Sequence, residues 1–109
     1  MKSLTNLINI PLTEFGKLDF TYHYLKPERV LAPYAVWQEQ SEKDFHSDNS
    51  KSERVLEGII DFYTLNENDP KLDLIEEAME SIEATWALVT VLYENETKLI
   101  HYSWEWSIK

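Results

Sequence analysis

The clearest pattern along the chain lies near its end. Ile100, Tyr102, Trp104, Trp106 and Ile108 alternate with His101, Ser103, Glu105 and Ser107, the period of a strand with one buried face. Phe20-Thr21-Tyr22-His23-Tyr24 shows the same alternation, and Tyr34 to Gln38, bounded by Pro33, predicts a second strand. Lys26 to Pro33 holds two prolines and reads as a connector. Val55 to Tyr63 predicts a third strand, with Leu56, Gly58, Ile60 and Phe62 on one face. A glycine in mid-strand marks a bulge or a close neighbour.

Helical spacing appears twice. Leu4, Leu7 and Ile8 suggest a short opening helix that Pro11 would terminate. Asn68-Asp69-Pro70 starts a second helix, with Asp69 capping free N–H groups and Pro70 at the first helical position. Leu72, Ile75, Ala78, Met79 and Ile82 then share one face. Trp86 to Tyr93 is continuously apolar and β-branched in its middle, so it predicts a buried strand, and Glu94 to Thr97 makes the turn into the last one. The order α-β-β-β-α-β-β, with antiparallel hairpins, predicts an α+β fold. It is a mainly antiparallel sheet of about five strands, packed with a short N-terminal helix and one acidic amphipathic helix, in a single domain over 1–109.

Composition narrows the function more than the fold. Aromatics make up 13% of the chain, and the rows Phe20, Tyr22, Tyr24 and Tyr102, Trp104, Trp106 are expected in the core, against the alternative of a stacking platform for bases. Cysteine is absent, which excludes disulfides, thiolate catalysis and cysteine-based zinc sites. The longest uncharged stretch, Ser3 to Thr13, has 11 residues and includes Pro11, too short to span a bilayer. The expectation is a cytosolic protein without signal peptide, in which Asn95-Glu96-Thr97 is not a glycosylation site. Twenty acidic residues against ten basic ones give a net charge of −10. Phosphate and anionic membranes would be repelled, so the natural partner is a basic protein surface, unless the charge serves only solubility.

Candidate chemistry is sparse. The three histidines, His23, His46 and His101, fall on different elements. Asp44-x-His46-x-Asp48 fails as a calcium loop, because the sixth position from Asp44 is Asn49 and the twelfth is Val55. No G-x-S-x-G, phosphate-binding glycine loop or H-E-x-x-H occurs, and no carboxylate pair stands out as an acid–base couple. We therefore expect no enzyme activity, no cofactor and no metal. Between Asn66 and Glu83 there are seven acids and one base, a net charge of −6, with Asp73/Glu77 and Glu76/Glu80 as like-charge pairs four apart. Such a face is either a solvated surface, a surface for a basic partner, or one kept anionic for another reason.

Several short motifs in order carry a resemblance. Pro33-Tyr34-Ala35-Val36-Trp37, Asp44-Phe45, Ser47-Asp48-Asn49, Ile60-Asp61-Phe62-Tyr63-Thr64 and Asp69-Pro70-Lys71-Leu72, followed by the alternating aromatics of Leu99 to Ile108, resemble the small tail-completion (head–tail joining) proteins of long-tailed bacteriophages and prophages. The resemblance covers roughly residues 33 to 109. It implies an α+β structural protein without an active site that self-associates into a ring between the connector and the tail tube. It also implies a place in the host bacterial cytoplasm during assembly and at the virion head–tail junction afterwards. The competing expectation from charge alone is an acidic inhibitor or DNA mimic that occupies a basic groove of a nucleic-acid enzyme.

In the polar run Ser41 to Ser52, Phe45 is the only large apolar side chain. Phe45, with His46, Asp48 and Asn49, is the expected assembly contact, an aromatic anchor ringed by polar groups; the alternative is that Phe45 folds back onto the sheet. As an anchor, Phe45→Ala should change stability by no more than about 1 kcal/mol, against about 3–5 kcal/mol for a core phenylalanine, while impairing assembly. Thermal unfolding of the variant and an assembly assay distinguish the two roles.

Overall fold

The structure is a computed structural model that describes residues 4–40 and 54–109. The elements follow the expected order: α1 (Leu4–Phe15), β1 (Thr21–His23), β2 (Tyr34–Glu39), β3 (Leu56–Thr64), α2 (Lys71–Ser81), β4 (Thr85–Glu94) and β5 (Leu99–Ile108). The strands form one sheet in the order β1-β2-β3-β5-β4, antiparallel at every junction except β1 with β2. This is an α+β fold, with both helices on one face of a mostly antiparallel sheet.

Alternation sets which side chains face the helices. On β3, Leu56, Gly58, Ile60 and Phe62 are buried, and their cross-strand partners on β5 are Ile108, Trp106, Trp104 and Tyr102. Gly58 has the close neighbour that a mid-strand glycine suggests. The Trp106 indole lies across it, so a Cβ at Gly58 would stand 2.1 Å from Trp106 Cζ2. That passage brings Trp106 to Phe15 (centroids 5.9 Å apart, edge to face) and to Trp37 (6.1 Å), and Phe15 also meets Trp37 at 5.2 Å. One aromatic cluster thus joins α1, β2 and β5 over the bare backbone of β3.

Pro11 does not end α1; it lies inside the helix, which continues to Phe15. The reason is burial. Leu7, Pro11 and Phe15 recur every fourth residue and are fully buried, so the stripe continues through the proline and offsets the one helical hydrogen bond that its ring removes. The helix stops at Gly16, where a Cβ would come within 2.6 Å of the Leu12 carbonyl oxygen. Thr21 Oγ1 donates to the Phe15 and Leu18 carbonyls, tying β1 to the end of α1. In that position β1 runs parallel to β2, so the first two strands are not the hairpin that the pattern suggests. Phe20 is buried, but Tyr24, expected in the same core row, is half exposed with φ 70° where the chain turns away.

The start of α2 follows its sequence signal closely. Pro70 already has helical torsions, and the buried Asp69 accepts the Lys71 N–H through Oδ1 (2.9 Å) and the Thr64 hydroxyl through Oδ2 (2.6 Å). Ile75, Ala78 and Met79 are buried, and Leu72 and Ile82 pack at the margin of the core. The helix closes with Ala84 N–H on Met79 O and Glu83 N–H on Glu80 O, both at 3.0 Å, with Glu83 in the left-handed region at φ 58°.

The largest departure is β4. Expected to be buried, it is the exposed edge of the sheet: Leu88, Val89, Val91, Leu92 and Tyr93 are all exposed, Val91 at 56%. α1 lies over β3, and α2 meets β4 near Trp86, which packs against the core, while Leu88 to Tyr93 stand largely bare.

Gly58→Ala tests the aromatic passage. The methyl would collide with the indole of Trp106, which is held by Phe15 and Trp37, and should cost about 1–3 kcal/mol as an overpacked core does. A lowered urea midpoint at unchanged m-value is the expected readout.

Candidate functional site

Two surfaces stand out once the fold is in place: the face of the sheet without helices, and the β4 edge. On the helix-free face, register aligns Tyr34 with Tyr63 and Tyr63 with His101 across β2, β3 and β5. Their rings stack in a row, at 5.0 Å between the tyrosines and 4.4 Å between Tyr63 and His101. Lys26 Nζ caps the row 5.0 Å from the Tyr34 centroid. His101 is clamped by carboxylates, with Nε2 at 2.8 Å from Asp61 Oδ1 and Nδ1 at 3.6 Å from Glu94 Oε2.

Both nitrogens of His101 face carboxylates, and among the described residues no hydroxyl is hydrogen-bonded to the ring. Burial, with Asp61, Glu94 and Tyr34 adding to it, pushes the Tyr63 phenol up to about 12. Burial and Glu94 also raise Tyr34. Both phenols stay protonated through the physiological range, and the row acts as a polar-edged brace across three strands.

The acidic helix has internal work. Glu76 accepts the Trp104 indole N–H and Glu80 that of Trp86, both at 3.0 Å. Two glutamates four apart on α2 thus reach indoles on two neighbouring strands, whereas the buried Nε1 of Trp106 has no such acceptor among the described residues. With Asp69 at the cap, three of the seven acids between Asn66 and Glu83 hold groups of this same chain. Glu67, Asp73, Glu77 and Glu83 are left exposed.

The β4 edge is the more unusual surface. From Ala84 to Tyr93 it carries no charged residue, although the whole chain stands at −10. Val89 forms a bulge: Leu88 pairs with Trp104 and Thr90 with Ser103. Directly opposed residues share a face, so Trp86, Leu88, Val91 and Tyr93 all lie on the helix side, and Ala87, Thr90 and Leu92 on the other. Below the edge, Val91, Tyr93, Ile100 and Tyr102 line a shallow groove of about 540 Å³ with Glu67 and Asn68.

The expected contact residues Phe45, His46, Asp48 and Asn49 lie outside the described residues, as does Asp44. Among the described residues no group of three or more acids and histidines could hold a metal ion, and no helix is long and apolar enough to cross a membrane. The β4 edge and the His101 clamp escape a reading by pattern alone. The clamp's signal is that Asp61, Tyr63 and His101 occupy the polar phase of two alternating strands. The chain matches no protein-family model, and no curated protein matches it in sequence.

The Tyr63 environment has a measurable consequence. The unfolded chain ionises this phenol near 10, the folded chain only near 12, so its contribution to stability is complete below pH 10 and is lost as pH rises towards 12. In a spectrophotometric titration, Tyr63→Phe should remove the latest-ionising phenol and flatten the fall in stability over that alkaline window.

Proposed function

We propose that this chain is a structural protein of bacteriophage or prophage virion assembly, acting as a tail-completion subunit at the head–tail junction. In this role it joins a ring between the connector and the tail tube, and works by shape and contact without chemistry. The observation that carries the reading is the β4 edge, a ten-residue strand that leaves five large apolar side chains in solvent. An edge of this kind invites pairing with another chain, and a protein that worked alone would gain from covering it. The order of short motifs from Pro33 to Ile108 supports the specific junction.

The acidic-inhibitor reading is weaker on physical grounds. A mimic of nucleic acid needs its carboxylates free and spaced along one face, whereas Asp69, Glu76 and Glu80 are committed to intrachain partners.

Deletion of the gene from the phage or prophage that encodes this chain tests the reading. The expected outcome is filled heads and finished tails that fail to join, seen by electron microscopy and reversed by supplying the protein in trans. Normal infectious particles from the deletion would overturn it.

A further inference from the structure

The geometry points to a second copy of this chain as the occupant of the β4 edge, paired antiparallel about a two-fold axis so that two sheets become one. This inference takes from the proposed function only that β4 is an assembly surface; a two-fold pair closes on itself, so it would join two subunits and not build the ring. Three features of the edge select a second copy.

The first is charge. Two molecules at −10 repel, and approach is least costly where neither presents a charge. Ala84 to Tyr93 is such a stretch, and Glu94, the charged residue that ends the strand, would face Thr85 of the other copy.

The second is the bulge. In a regular strand, a two-fold antiparallel pair can only oppose residues separated by an even number of positions, because faces alternate with period two. The extra residue at Val89 shifts that phase between the two halves of β4. The register that opposes Trp86 to Tyr93 and Leu88 to Val91 therefore matches helix-side residues to helix-side residues, and the same register opposes Ala87 to Leu92 on the other face. It aligns aromatic with aromatic and aliphatic with aliphatic, pairs that stabilise antiparallel strands. The bulge would protect the edge against most registers and leave this one satisfied.

The third is the lack of another match among the described residues. The opposite edge of the sheet is β1, with three residues, Thr21–His23. It cannot satisfy a strand of ten, whereas β4 can pair with a second copy over both regular segments, on either side of the bulge.

The experiment uses the full chain in solution. Sedimentation equilibrium should show a reversible dimer that forms as concentration rises from about 1 to about 500 μM, the weak end of an interface smaller than the usual stable one. Val91→Lys, at an exposed position, should leave the circular dichroism unchanged and weaken the dimer at least about tenfold, since two lysines would be placed in an apolar row. Because the chain has no cysteine, register can be read by cross-linking. Leu88→Cys mixed with Val91→Cys should form the mixed disulfide, and neither variant alone should cross-link efficiently.

A monomer at every concentration, a dimer indifferent to Val91→Lys, or cross-linking of Leu88→Cys mainly to itself would overturn the inference. The two readings fail separately. A monomer with a head–tail defect on gene deletion leaves the junction role standing with a different chain on β4, and a dimer without that defect does the reverse.

Discussion

The whole arrangement depends on a missing side chain. Trp106 belongs to β5 and Trp37 to β2, and β3 runs between them; only because Gly58 carries no Cβ can the Trp106 indole lie over β3 and reach its partners. Phe15 completes the contact from above and so sets where α1 sits on the sheet. The N-terminal helix and three strands thereby share one cluster. With a larger residue at Gly58, the indole would have to leave, and α1 would lose the surface on which its Leu7–Pro11–Phe15 stripe ends.

Charge and packing are coupled in the same economical way on α2. Like-charge pairs four apart weaken a helix by a few tenths of a kcal/mol each, and Glu76 with Glu80 is one such pair. The cost is offset because each carboxylate answers an indole N–H, Trp104 in the core and Trp86 at its margin. Replacing them by neutral, shorter residues would relieve repulsion and leave two donors unsatisfied. The acidic character of this helix is therefore partly architectural, and net charge alone overstates how much of it is available to a partner.

Much of the fold is legible in the residues because the sheet is covered on one face only. Alternation in β3 and β5 reports that asymmetry directly, and Asp69-Pro70 reports the helix start through backbone chemistry that is local. Three features are not legible, each for a physical reason. Pro11 reads as a stop because propensity is local, while its burial with Leu7 and Phe15 is tertiary. The direction of β1 leaves no trace in side-chain periodicity, since parallel and antiparallel strands alternate alike. Trp86 to Tyr93 reads as covered on both faces because apolar residues stand in both phases of the strand, whereas its place at the sheet edge depends on strand order. The candidate site is less legible than the fold, because it depends on which strand ends at an edge and on the cross-strand meeting of Asp61 with His101, forty positions apart.

Strand order has a consequence for synthesis. β5 is made after every other strand, yet it lies between β3 and β4. Until it emerges, a growing chain has a glycine with no indole to receive, an inner strand with one open side, and an apolar segment with no neighbour. The intermediate therefore exposes at once most of what the finished protein hides, together with the edge it leaves open. Such a chain gains little by folding piecemeal, and its sheet should close in one late step, when the β4–β5 hairpin forms and β5 pairs with β3.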